Sequence, residues 1–220
     1  MQIFDKKPLI YLITDGALTP ENFREKSSAT LKIIEKAVLG EISLIQIREK
    51  RLLAGQVFEL VSKAARLTKN SNTRLLVNDR ADIALAAAAD GVHLPANSLP
   101  AQIIRRNFGA DFIIGVSAHS AEEVGRARLA KADFATFGPV FATASKARYG
   151  APQGVAKLRA VAATHPDFPV IALGGIDENN FAEAFEAGAR GIAAIRFLNK
   201  AEKLPEIAKK IFTCGIADSR

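Results

Sequence analysis

A chain of 220 residues with 49% hydrophobic content can bury a substantial core as one domain over residues 1–220, a usual size for an α/β barrel. Thirty Lys and Arg against 23 Asp and Glu leave a net charge of +7, yet like charges never run beyond two residues and no aromatics are interleaved with the basic ones, so a nucleic-acid partner is not expected. Cys214 is the sole cysteine, which excludes a disulfide framework or a thiolate metal cage within one chain.

The basic excess then reads as a solvated surface with a local anion site. The first apolar run, in MQIFDKKPLIYLITD, spans about seven residues, too short for a secretory h-region, and nothing later approaches a membrane span. A cytoplasmic protein without a membrane partner is the expectation.

In chain order, Leu9 to Thr14 is a continuous apolar strand ending at Asp15-Gly16, and Thr30 to Leu39 has helical spacing through Leu31, Ile34, Ala37 and Val38. Ile42 to Ile47 is the second strand, with helix from Leu53 to Leu67. Leu75 to Val77 is the third, ending in Asn78-Asp79 ahead of an alanine-rich helix. Gly91 to Leu94 is the fourth, followed by the loop Pro95-Ala96-Asn97-Ser98 and a helix from Pro100 to Arg106. Phe112 to Ser117 is the fifth, and Ser120 with Glu123 spells a capping box for the helix Ala121 to Ala130. Phe134 to Phe137 is the sixth, then a long loop, Val140 to Gly150, and a helix from Val155 to Ala163. Val170 to Leu173 is the seventh and runs into Gly174-Gly175; Asp177 is the expected N-cap of the helix Phe181 to Glu186. Arg190 to Ile195 is the eighth, backed by a helix from Glu202 to Ile211.

Eight strand-then-helix units predict a closed (β/α)8 TIM barrel, since fully apolar strands alternating with helices demand a parallel sheet covered on its outside. An open doubly wound sheet is the alternative. In a barrel the residues just past each strand converge on one face. Here they are Asp15; Gln46, Arg48 and Lys50; Asn78 and Asp79; His93; Ser117 and His119; Thr143, Ser145 and Lys146; Gly174 and Gly175; and Arg196. Four cations, amide and hydroxyl donors, glycine N–H groups and few acids suit a ligand with more than one phosphate. At Gly174-Gly175 the backbone can approach such a group, with the dipole of the following helix favouring an anion. Other readings are structural. Arg48-Glu49-Lys50 suits a surface ion-pair cluster, Asn78-Asp79 an Asx-type helix cap, and His93 a satisfied core histidine.

The segments IQIREK, LLVNDRADIALAAAADGVHL, IIGVSAHSAEEV, ADFATFGPVFATASK and PVIALGGIDENN resemble, in order and across nearly the whole chain, those of the thiamine phosphate synthase and thiazole tautomerase (TenI) family. The resemblance implies a transferase of thiamine biosynthesis that joins hydroxymethylpyrimidine diphosphate to thiazole phosphate and releases diphosphate. It implies that Arg48, Lys50, Asn78 and Lys146 hold the diphosphate, that Asp79 holds Mg2+, and that Gln46 and Ser117 touch the pyrimidine. It implies that Thr143 and Ser145 meet the thiazole phosphate or close over both substrates, and that Gly174 and Gly175 bind that phosphate through their N–H groups. A homo-oligomer is compatible with the pattern.

Two positions depart from the family. Ser98 stands in the loop where synthases carry a second metal-binding aspartate, which weakens the expected Mg2+ site. Arg196 stands where a small residue usually lies near the phosphate. The loop LPANS resembles the tautomerase branch, an isomerase that needs no metal and whose proton-shuttling histidine aligns with His119. A catalytically silent phosphate-binding barrel is a further alternative.

Overall fold

Apolar residues on both faces of each strand call for two separate cores, one inside the sheet and one between sheet and helices. The computed structural model of this protein describes residues 8–143 and 151–217 and contains both. The strands are Leu9–Ile13 (β1), Leu44–Ile47 (β2), Arg74–Asn78 (β3), Gly91–Leu94 (β4), Ile113–Ala118 (β5), Phe134–Phe137 (β6), Val170–Leu173 (β7) and Gly191–Ala194 (β8). All neighbours pair in parallel and β8 returns to β1, so the sheet is a closed barrel and the open-sheet alternative falls away. The helices are Phe23–Leu39 (α1), Ala54–Thr68 (α2), Ala81–Ala86 (α3), Ala101–Phe108 (α4), Ala121–Leu129 (α5), Gly154–Thr164 (α6), Phe181–Glu186 (α7) and Leu204–Ala217 (α8), the last preceded by a 3-10 turn, Ala201–Lys203.

The period-two alternation of a strand sorts the residues. Leu9, Tyr11 and Ile13, Leu44, Leu76, Ile113, Phe134, Ile171 and Ala193 fill the barrel interior. Their neighbours along each strand, among them Ile10, Leu12, Ile45, Ile47, Leu75, Val77, Val92 and Ile192, belong to the outer core under the helices. Register keeps the two sets apart: Tyr11 lies opposite Leu44, Gln46 opposite Leu76, His93 opposite Gly115 and Ser117 opposite Thr136. Following the alternation, Gln46, Asn78, His93, Ser117 and Thr136 are the polar members of the inner set.

The inner core tightens around Phe134, which packs edge-on to Tyr11 with ring centroids 5.5 Å apart. Gly115 makes room for it. A Cβ there would lie 2.4 Å from Phe134 Cζ and 2.7 Å from His93 Nδ1. Truncating so buried a phenylalanine costs about 3–5 kcal/mol, because little can collapse into a rigid barrel.

Helix α1 starts seven residues before the predicted Thr30, at Phe23. Its first turns bury only Phe23 and Ser27, so the apolar stripe on which the prediction rested is absent there. At α5 the Ser120 hydroxyl accepts from Glu123 N as expected, but the Glu123 carboxylate accepts from His119 N, one residue earlier than a capping box requires. The expected cap at Asp177 is also displaced. Helix α7 has Asn180 as its N-cap residue, while Asp177 Oδ1 accepts from Asn179 N in a turn of its own.

Candidate active site

The strand ends bring the predicted polar residues to one face of the barrel, at two depths. At the lower level lies Gln46, 1% exposed, whose amide Nε2 donates to the Tyr11 hydroxyl at 2.8 Å. Burial pushes the Tyr11 phenol well above its ordinary value, so it stays a neutral hydroxyl. Beside it, His93 is 3% exposed and its Nε2 lies 3.0 Å from Ser117 Oγ. Its Nδ1 has no hydrogen-bond partner among the described residues, facing the gap above Gly115 instead. His93 is therefore a core histidine, as read from the sequence, but only half satisfied. Burial first, then the nearby Arg48 charge, holds its pKa down to about 3, which keeps the ring neutral. Sequence reasoning missed this pairing because its two partners sit 24 residues apart, on neighbouring strands.

The rim carries the charges. Arg48 is half-buried, with its backbone N–H donating to Thr14 Oγ1 at 2.8 Å, and Lys50 is exposed two residues on. Between them Glu49 turns inward and is 4% exposed. Its Oε1 accepts from Gly16 N at 3.1 Å and its Oε2 from Leu18 N at 3.0 Å, so this carboxylate fastens the loop after β1. The surface ion-pair reading of Arg48-Glu49-Lys50 is thus wrong for Glu49, whose two oxygens are spent on backbone donors.

Asn78 closes β3 opposite His93, and Asp79 follows with φ +59. Asp79 caps no helix: the residue preceding α3 is Arg80, which has no side-chain cap. Instead Asp79 Oδ1 accepts a hydrogen bond from the Ser98 hydroxyl of the loop after β4. That contact joins the one carboxylate predicted to hold a metal to the residue that replaces its expected partner. No group of three or more His, Cys, Asp and Glu that suits a metal ion occurs among the described residues.

His119, exposed after β5, points Nδ1 at the Gly138 carbonyl. A carbonyl only accepts, so the Nδ1 proton donates to it and Nε2 is left as the other ring atom to face a ligand. Thr143 and Arg196 meet across the mouth, with Arg196 Nη2 donating to Thr143 Oγ1 at 3.1 Å. They lie on the loops after β6 and β8, the strands that flank β7 and its Gly174-Gly175 turn. Ser145 and Lys146 lie outside the described residues.

Gly174 and Gly175 have φ of +98 and +68, and the loop after β6 packs directly on them. A Cβ on Gly175 would sit 2.6 Å from Ala142 O, and one on Gly174 2.6 Å from Pro139 Cα. Phe141 N donates to Gly174 O at 2.9 Å. These glycines are required by chain packing as well as by any ligand. The helix dipole invoked from sequence is remote, since α7 begins only at Phe181 and is six residues long.

The arrangement offers cations at Arg48, Lys50 and Arg196, one carboxylate at Asp79, and neutral donors and acceptors at Gln46, Asn78, Ser117 and Thr143. Such a set has the chemistry to accommodate phosphate groups around a neutral ring system, and no activated nucleophile stands among these residues.

Comparison with known proteins agrees. The sequence model of the family described as thiamine monophosphate synthase matches residues 10–198. A putative thiamine-phosphate synthase of Geobacter sulfurreducens is 45% identical over 186 residues, 84% of each chain. A thiamine-phosphate synthase of Chloroflexus aurantiacus is 35% identical over 202 residues, 92% of this chain and 90% of its own. Among solved structures, thiamine phosphate pyrophosphorylase from Pyrococcus furiosus superposes with a TM-score of 0.73 at 28% identity, covering 92% of this chain and 96% of the other. Among the described residues no helix is long and apolar enough to cross a membrane.

Proposed function

The chain belongs to the thiamine monophosphate synthase family, and from that premise we propose that it is a transferase of thiamine biosynthesis, joining hydroxymethylpyrimidine diphosphate to thiazole phosphate with release of diphosphate. The observation that carries this reading is the grouping of Arg48, Lys50, Asn78 and Asp79 around a mouth whose floor is neutral and polar.

The reaction breaks a C–O bond while negative charge gathers on the departing diphosphate. Fixed cations aimed at that group lower the barrier without proton transfer, so positioning and electrostatics dominate. In this reading Arg48, Lys50, Asn78 and Lys146 hold the diphosphate. Ser117, oriented from below by His93, and Gln46, whose amide nitrogen is taken by Tyr11 and whose carbonyl oxygen is left, meet the pyrimidine. Thr143, Ser145 and the Gly174-Gly175 turn receive the thiazole phosphate, with Arg196 reaching across from the last loop.

A Mg2+ ion bound with the diphosphate would neutralise part of the leaving charge. The donor set fits such an ion only in part: Asp79 would supply one carboxylate and Ser98 a neutral hydroxyl, with water and the substrate phosphates making up the rest. The tautomerase alternative draws on His119 and the loop around Ser98, but the relatives above are named synthases, and that decides between the two.

The test is a product assay with purified protein, both substrates and Mg2+, run with and without chelator. Thiamine phosphate formed in a chelator-sensitive way is the expected result. No product under conditions where a known synthase turns over would overturn the reading.

A further inference from the structure

Four buried side-chain polar atoms have no hydrogen-bond partner among the described residues: Thr73 Oγ1, His93 Nδ1, Thr136 Oγ1 and His165 Nδ1. An unpartnered buried polar atom lowers stability, so each calls for a physical reason. Thr73 and His165 precede β3 and β7, at the end of the barrel opposite the mouth. His93 Nδ1 is shut in between Gly115 and Phe134. Thr136 differs in its place. It is 1% exposed, and its neighbours Ala135 and Phe137 belong to the core under the helices, which makes it the last inward side chain of β6. In register it stands opposite Ser117, the last inward residue of β5, and on its other side opposite Ile171 of β7. Neighbouring strands lie about 4.8 Å apart, so Ser117 and Thr136 present two hydroxyls at one level of the barrel. Ser117 Oγ meets His93 Nε2 and is half-buried, so the mouth reaches down to this level.

We propose that Thr136 is a further specificity-determining residue of this site: in the complex its hydroxyl turns to the polar edge of the heteroaromatic ring bound beside Ser117 and makes there the hydrogen bond that it lacks in the free protein. The inference rests on the synthase reading of this mouth and adds to it a residue of the sixth strand. One rotation about χ1 exchanges Oγ1 with the methyl group and leaves the strand undisturbed. A threonine hydroxyl both donates and accepts, so it fits a ring nitrogen as well as an exocyclic amine. Valine would fill the same space with as good a preference for a strand and no orphaned oxygen. A hydroxyl kept at that position lowers the stability of the free chain, and contact with the ring offsets the loss in the complex alone. Stability given up in this way belongs to a binding site rather than to a core.

The experiment titrates the full chain with hydroxymethylpyrimidine diphosphate in a calorimeter, with Mg2+ and without the second substrate, so that no turnover occurs. Thr136→Val should melt at or above the parent temperature, because the unpartnered hydroxyl is gone, and should bind the ligand about five- to tenfold more weakly, the scale of one neutral hydrogen bond. Thr136→Ser should restore the parent affinity. Inorganic diphosphate, which has no ring, should bind the parent and Thr136→Val alike. A purely structural threonine gives the opposite pattern, a lower melting temperature with binding unchanged. Thr136→Val that binds hydroxymethylpyrimidine diphosphate as tightly as the parent, or that loses inorganic diphosphate to the same extent, overturns the proposal and leaves the synthase reading intact. A parent chain that does not bind hydroxymethylpyrimidine diphosphate overturns both. If Thr136→Val does not fold, Thr136→Ser and Thr136→Ala decide the matter, since they differ by the hydroxyl oxygen alone: weaker binding by the alanine variant supports the contact, and equal binding overturns it.

Discussion

His93 Nε2 lies 3.0 Å from Ser117 Oγ inside the barrel, while its other ring nitrogen has no partner among the described residues. Because burial and the Arg48 charge hold its pKa down to about 3, the imidazole is neutral in the fold but titrates near 6.5 once unfolded. Between those values the unfolded chain binds the extra proton, so stability is fully present above pH 6.5 and falls as the pH drops towards 3. Urea denaturation should show a loss on the order of 3 kcal/mol between pH 7 and pH 4 from this group, on top of the carboxylates. His93→Gln should flatten that part of the profile. An unchanged profile would remove His93 as its source.

Arg196 spans the mouth to Thr143 Oγ1 at 3.1 Å and is itself exposed, so little of the fold depends on it. Its partner Thr143 is on the loop after β6, next to the β7 turn assigned to the thiazole phosphate. Arg196→Ala should raise KM for thiazole phosphate about tenfold or more, as loss of a charge-assisted hydrogen bond predicts, and leave KM for the pyrimidine diphosphate nearly unchanged. Equal effects on both substrates would show that it reads neither phosphate selectively.

Lys146 is assigned from sequence alone to the departing diphosphate. Lys146→Ala should lower kcat about 10²-fold or more, the scale expected when one preorganised charge is removed from a developing anion, with no change in Tm. A normal rate would take the residue out of the mechanism.

Glu49 fixes the loop after β1 through Gly16 N and Leu18 N while almost wholly buried. Glu49→Ala strands two backbone donors and should cost about 2–4 kcal/mol in chemical denaturation. If kcat falls as well, loop position matters to the mouth; if stability is unchanged, water has replaced the carboxylate.

Much of the barrel was written in the local pattern. The strands Gly91–Leu94, Phe134–Phe137 and Val170–Leu173 have the boundaries read from sequence, because a short apolar run between polar turns leaves a strand few alternatives. Sparse first turns and caps were less legible: α1 begins at Phe23, ahead of the expected Thr30, and α7 begins at the expected Phe181 but is capped by Asn180 in place of Asp177, since neither feature carries an apolar signal. The candidate residues were legible for one reason: in a parallel barrel every strand end faces the same way, so the residue types just past each strand already list the mouth.

The sequence by itself determined the alternation of strands and helices, the excess of cations at strand ends and the family to which the chain belongs. What each polar side chain does was decided only in three dimensions, because its partner lies on another strand or loop. Glu49 became a buried fastener for the loop after β1, His93 a neutral support for Ser117, and Ser98 the hydroxyl on Asp79. Hydrogen-bond partners 19 to 33 residues apart leave no periodic trace in a chain; the parallel pairing of neighbouring strands brings them within 3.1 Å.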